Sequence, residues 1–88
     1  MQTIWKFPLE VTDEQVIEMP KGANIISLQT QFDTPCIWAI VNPDASKEKR
    51  TFFTIGTGHK YPNFTGLVHI GSYSIQGGVL VFHVFELK

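Results

Sequence analysis

The chain has 88 residues, 43% of them hydrophobic and 17% charged, with a formal net charge of −1 and one cysteine. That length suits a single domain over residues 1–88, and the composition excludes the disordered regime. So small a charge gives no long-range attraction to duplex nucleic acid or to an anionic membrane, and no apolar run reaches the roughly 18–20 residues of a membrane-spanning helix.

Hydrophobicity alternates with a period of two from the first residues onward. In "IWKFPLEV" Trp5, Phe7, Leu9 and Val11 share one face, and Lys6, Pro8 and Glu10 the other. Pro8 has no N–H to give a ladder, so it predicts an edge strand or a break. The same opening residues lack a basic region followed by an apolar block, and so do not read as a signal peptide. Thr12 to Gln15 make a polar reversal, "VIEM" a short strand, and Pro20 with Gly22 a tight turn. "NIISLQTQF" alternates again, with Ile26, Leu28 and Phe32 expected inward and Ser27, Gln29 and Gln31 outward. Asp33-Thr34-Pro35 then reverse the chain into "CIWAIV", which is apolar on both faces and therefore expected at the centre of a sheet. Cys36, within it, reads as a small buried hydrophobe in a reducing compartment.

"NPDASKEKR" reads as a solvated loop, its basic cluster of Lys47, Lys49 and Arg50 diluted by Asp44 and Glu48. "TFFTI" resumes a strand. A helical turn has room only between Tyr61 and Gly66, where Pro62 and Gly66 limit it. "LVHIGSYSIQ" and "VLVFHVFEL" then flank Gly77-Gly78, the pair that a type I′ turn requires because both positions need positive φ. Counting outward pairs Ile75 with Leu80, Tyr73 with Phe82, Gly71 with Val84 and His69 with Glu86. The other face pairs Ser74 with Val81, Ser72 with His83, Ile70 with Phe85 and Val68 with Leu87. These elements predict an all-β fold: a small sandwich or partly open barrel of about six to seven mostly antiparallel strands, with at most one short helical turn.

Gly56, Thr57, Gly58, His59, Lys60 and Tyr61 form the candidate contact with a ligand or partner. A strand end opening into two glycines beside a cation can present backbone donors to phosphate or carboxylate. The competing reading is turn chemistry, with the glycines at positive φ and Thr57 and His59 bonding nearby backbone. The spacing is not Gly-x-Gly-x-x-Gly and no helix follows, so neither nucleotide-binding fingerprint applies. His59, His69 and His83 lack zinc-ligand spacing, and the hairpin register puts His69 and His83 on opposite faces, so no metal or other cofactor is expected. His83 is expected neutral and bonded to Ser72, and His69 paired across the strands with Glu86. Cys36 has no adjacent cation, no Gly-x-Ser-x-Gly is present, and Asp13, Glu14, Asp33, Asp44 and Glu48 lie at turns. A non-enzymatic protein is expected.

Trp5-Lys6-Phe7, Met19-Pro20-x-Gly22-Ala23, Trp38-Ala39-x-Val41, Gly56-Thr57-Gly58-His59 and His83-Val84-Phe85-Glu86 occur in this order along nearly the whole chain. In this it resembles a family of small tailed-bacteriophage and prophage proteins of similar length without an established activity. The resemblance carries no catalytic residues. It implies a phage-encoded accessory protein of the host cytoplasm that acts by stoichiometric binding. The expected role is host takeover or anti-defence, by sequestering a host protein or a small anionic nucleotide signal. The alternative is a minor virion structural or assembly protein. A homo-oligomer formed through an edge strand is expected.

Overall fold

Alternation along most of the chain becomes seven strands in the computed structural model, which describes residues Met1–Lys88. They are β1 (Thr3–Pro8), β2 (Glu14–Pro20), β3 (Asn24–Gln31), β4 (Thr34–Val41), β5 (Lys47–Gly56), β6 (Leu67–Ile75) and β7 (Leu80–Leu87). Two antiparallel sheets result, ordered β1-β4-β3 and β2-β5-β7-β6. They do not close into a barrel, so the fold is a β-sandwich.

The core lies between the sheets. Ile37, Ala39 and Val41 of β4 face Met19, Phe52, Tyr73 and Val84 of the second sheet, with Leu9 and Ala23 completing the cluster. A fully buried side chain such as Phe52 or Ile37 contributes about 1.5–3 kcal/mol. β4 is central, as its apolar run predicts, although its outward Trp38 and Ile40 are only half-buried. Pro8 ends β1, an edge strand.

Several boundaries differ from the expectation. The alternation in the first segment stops at Leu9, where the N–H bonds Pro35 O at 2.8 Å, and Val11 beyond it is exposed. A β-bulge between Ile25 and Ser27 inserts one residue into β3, so Ile25 turns inward while Ile26 is 48% exposed. Phe32 is not a core residue. It forms with Asp33 a two-residue turn at φ 50° and 63°, which leaves its ring 97% exposed and lets β4 start at Thr34.

Lys47 to Arg50 are not loop but the first half of β5, where backbone pairing with β2 sets Glu48 opposite Met19 and Arg50 opposite Ile17. The basic cluster is thereby dispersed: the Lys47 ammonium lies 5.3 Å from the Trp5 ring centroid, Lys49 stands opposite Glu18, and Arg50 enters the sandwich. Tyr61 to Gly66 carry no helix, and the one helical turn is the 3₁₀ turn Gln76–Gly78.

The C-terminal hairpin turns at Gly77 (φ 66°) and Gly78 (φ 91°), closed by Val79 N–H to Gln76 O at 3.3 Å. Its register is the expected one from Ile75–Leu80 to Gly71–Val84. A bulge at Ile70 then shifts it by one, so Val68 pairs with Glu86, His69 with Phe85 and Leu67 with Leu87. His69 therefore joins His83 on the outward face, and Glu86 faces the core without its expected partner. There Glu86 meets Arg50 in a bidentate pair, Nε–Oε2 at 2.5 Å and Nη2–Oε1 at 2.8 Å, while Nη1 donates to Ala23 O at 2.6 Å. Hydrogen bonding to Glu86 raises the pKa of Arg50, which stays charged.

Tyr73 is buried and its hydroxyl has no partner. Burial raises its pKa above the ordinary 10.0. The unfolded chain thus releases this proton first, so stability is full below that pH and falls as the pH rises through the folded value. Tyr73→Phe is expected to keep or raise stability at neutral pH, since an unpaired buried hydroxyl costs about 1–3 kcal/mol, and to flatten the alkaline decline. Denaturant melts from about pH 8 to about pH 11 check this, and an equally steep decline in the variant contradicts it.

Candidate functional site

β5 is longer than either partner and passes from one to the other. β2 pairs with it from Lys47 to Phe53, and β7 from Phe52 to Gly56. The final bond on the β2 side runs from Thr54 N–H to Asp13 O at 3.0 Å. Beyond it the edge of β5 is open, and the chain turns back across that opening.

The turn spans Gly56 to His59. His59 N–H donates to Gly56 O at 3.0 Å, and Gly58 has φ 84°. A Cβ on Gly56 would lie 3.0 Å from His59 Nδ1, so any larger residue would push the imidazole back from the strand end. Thr57 ties the turn to β7, its N–H donating to Val81 O at 3.1 Å and its Oγ1 lying 2.7 Å from His83 Nε2. His83 Nδ1 lies 2.8 Å from Ser72 Oγ, the predicted partner, so both ring nitrogens are engaged. Farther on, Tyr61 meets Phe53 edge-on at 6.3 Å. Phe64, Phe85 and His69 continue a row of rings with successive centroids 5.2 Å apart. This row holds the loop after β5 on the outer face of the second sheet.

The six predicted contact residues therefore divide. Gly56, Thr57 and Gly58 shape and anchor the turn, whereas His59, Lys60 and Tyr61 line a cleft of about 370 Å³. Its other walls are Asp13 and Glu14, at the start of β2, and Phe53, Thr54 and Ile55 of β5. Asp13, Thr54 and His59 also line an adjoining cavity of about 210 Å³. Thr54 is 7% exposed and its hydroxyl has no hydrogen-bond partner. The arrangement offers two carboxylates, an ammonium, an imidazole and two aromatic rings in one concavity, whereas the Thr54 hydroxyl is buried behind its wall.

Sequence reasoning missed Asp13, Glu14 and Thr54 as members of this site. The polar run "TDEQ" was the only signal, and about forty residues of chain separate it from Thr54. His69 and His83 lie away from the cleft on the outer face, and no group of three His, Cys, Asp or Glu converges to hold a metal ion. Cys36 is buried in the other sheet. No helix is long and apolar enough to cross a membrane.

The anchoring role of His83 is measurable. His83→Phe removes both ring bonds and is expected to speed amide hydrogen exchange at Thr57 to Lys60 at least about tenfold, the effect of losing roughly 1.4 kcal/mol of local stability. Unchanged exchange in that variant would place the anchor elsewhere.

Residues 1–88 match a protein family described as a domain of unknown function, DUF7352. No curated protein and no solved structure matches the chain.

Proposed function

We propose that this chain, which belongs to the DUF7352 family, is a non-enzymatic protein that acts by stoichiometric binding through the cleft between Asp13-Glu14 and the His59–Tyr61 loop. The observation that carries this reading is the convergence of predicted and unpredicted polar residues on one concavity of about 370 Å³. Clefts of roughly 300–1,000 Å³ with a few placed polar groups are the usual form of small-molecule sites. The loop is tied to β7 through Thr57 and to β5 through the Tyr61–Phe53 contact, so little ordering is left for a ligand to impose.

The sequence resemblance to small tailed-phage proteins supports a phage-encoded accessory role in the host cytoplasm, in host takeover or anti-defence. Sequestration of an anionic nucleotide has weaker support than binding of another partner, because Asp13 and Glu14 share the cleft with Lys60. Self-association belongs to the same reading. The outer face of the three-stranded sheet leaves Ile4 54% exposed, with Ile26 beside half-buried Trp38 and Ile40. That face also supports the second reading, a minor virion or assembly component, for which the chain would be found in purified virions.

The test uses the full chain as bait, with Lys60→Glu/Tyr61→Ala as the matched control. A partner captured from host lysate is titrated back calorimetrically. Saturation at one partner per cleft, recovery of the partner unchanged, and at least about tenfold weaker binding by the control are expected. Turnover of the partner by substoichiometric protein, or equal binding by the control, contradicts the proposal.

A further inference from the structure

We infer that this chain pairs end to end with a second copy of itself, the Phe32 ring of each copy entering the apolar cavity that Val79, Leu80, Val81 and Phe82 form on the other. This rests on the self-association included in the reading above and gives it a surface. It does not depend on what the cleft binds.

The register brings four connections to one end of the sandwich. Leu9 N–H bonds Pro35 O beside the Phe32–Asp33 turn, and the chain after Leu9 reaches β5 at the Asp13–Thr54 bond. β5 ends there too, where Gly56 pairs with Phe82, and the β6–β7 hairpin closes beyond the Ile75–Leu80 pair. All three non-glycine residues at positive φ lie at this end: Phe32 at 50°, Asp33 at 63° and Gln76 at 53°. At the opposite end positive φ falls to Gly22 and Gly66.

Phe32 is the residue that local physics does not explain. At positive φ a bulky side chain crowds its own backbone, and asparagine or glycine occupies such a turn at lower cost. The ring returns nothing to the fold, because it is almost wholly in water. A strained residue that the fold does not need points to a contact outside the chain. An aromatic ring on a tight turn also loses little freedom on docking, and it buries about 150–250 Å².

A cavity of matching chemistry lies at the same end. β7 has β5 beside it only as far as Phe82, with one further bond from Thr57 N–H to Val81 O, so no strand flanks Leu80 and Val79 on that side. The space left is about 300 Å³, walled by Val79 to Phe82 and by Gly56 and His59 of the turn. Apolar cavities of roughly 150 Å³ already take a benzene ring. The chain's own Phe32 stands in water, so the ring that fills this cavity comes from another molecule.

Charge agrees with a second copy as that molecule. Asp33 follows the ring and has no ion-pair partner within the chain, whose one salt bridge joins Arg50 to Glu86. No carboxylate lines the cavity, and Lys60, equally unpaired, follows His59 at its rim. Ring and cavity share one end, so a two-fold axis between them seats both rings at once and brings each Asp33 toward the other copy's Lys60. Such an interface is small, in the class below about 1,200 Å², and the dimer is accordingly weak.

Sedimentation equilibrium of the full chain from about 5 to about 500 μM is expected to show monomer and dimer in exchange. Phe32→Asn is expected to weaken the dimer at least about tenfold. At the lowest concentration the same variant is expected to raise the thermal midpoint by about 4 °C, because asparagine tolerates the left-handed backbone. Val79→Asp, on the exposed cavity wall, is expected to weaken the dimer equally with no change in midpoint. An equimolar mixture of the two variants is expected to pair more tightly than either alone, since the intact Phe32 of one meets the intact cavity of the other. A mixture no tighter than its components, or a midpoint that falls in Phe32→Asn, overturns the assignment. Dimers that persist in both variants overturn it as well, and their loss in Ile4→Lys places the contact on the outer face of the three-stranded sheet, with self-association intact. A wild-type chain that stays monomeric throughout overturns both, while the cleft keeps its own control in Lys60→Glu/Tyr61→Ala.

Discussion

The ion pair between Arg50 and Glu86 is the constraint on which the rest of the sandwich depends. It joins β5 to β7 from the core side, and through the Ala23 carbonyl it also fixes the turn that leads into β3. The two side chains keep only 16% and 10% of their surface in water, so the pair carries a desolvation cost that is offset only when the geometry is good and the remaining donors are engaged. Here the carboxylate is held at two points and a third donor finds a backbone oxygen. A one-residue slip of β5 would turn the guanidinium to the outer face and leave the carboxylate alone in the core.

With β5 held in that register, the position of the cleft follows. β5 runs past the start of β2, so its pairing on that side ends at the Thr54–Asp13 bond while β7 continues to Gly56. The loop after β5 has to return across the open edge. The ring row from Phe53 to His69 keeps it on the outer face, and the Thr57–His83–Ser72 chain secures its first turn. Asp13 and Glu14 therefore face His59, Lys60 and Tyr61 across the place where β5 outruns β2.

How much of this was legible in the sequence depended on range. Local rules worked where local physics decides: two glycines at the hairpin demanded positive φ, and a run apolar on both faces marked the central strand β4. Bulges were invisible because a period-two pattern does not say where an extra residue is inserted. The bulge at Ile70 therefore moved His69 to the face opposite its expected partner Glu86. Lys47 to Arg50 looked like a loop because their polarity outweighed their pairing, and that pairing exists only once β2 lies alongside. The site was legible on one wall. His59, Lys60 and Tyr61 announced themselves beside two glycines. Asp13 and Glu14 looked like any turn acids, and Thr54 like any strand threonine, until the strands met.

The dependence on Arg50 and Glu86 is tested most directly by a double-mutant cycle in denaturant. A buried pair predicts a loss of about 3–5 kcal/mol for Glu86→Ala alone, because the guanidinium is left uncompensated, with most of it regained in Arg50→Met/Glu86→Leu. A single-variant loss below about 1 kcal/mol, the size expected of a solvated surface pair, would contradict the account.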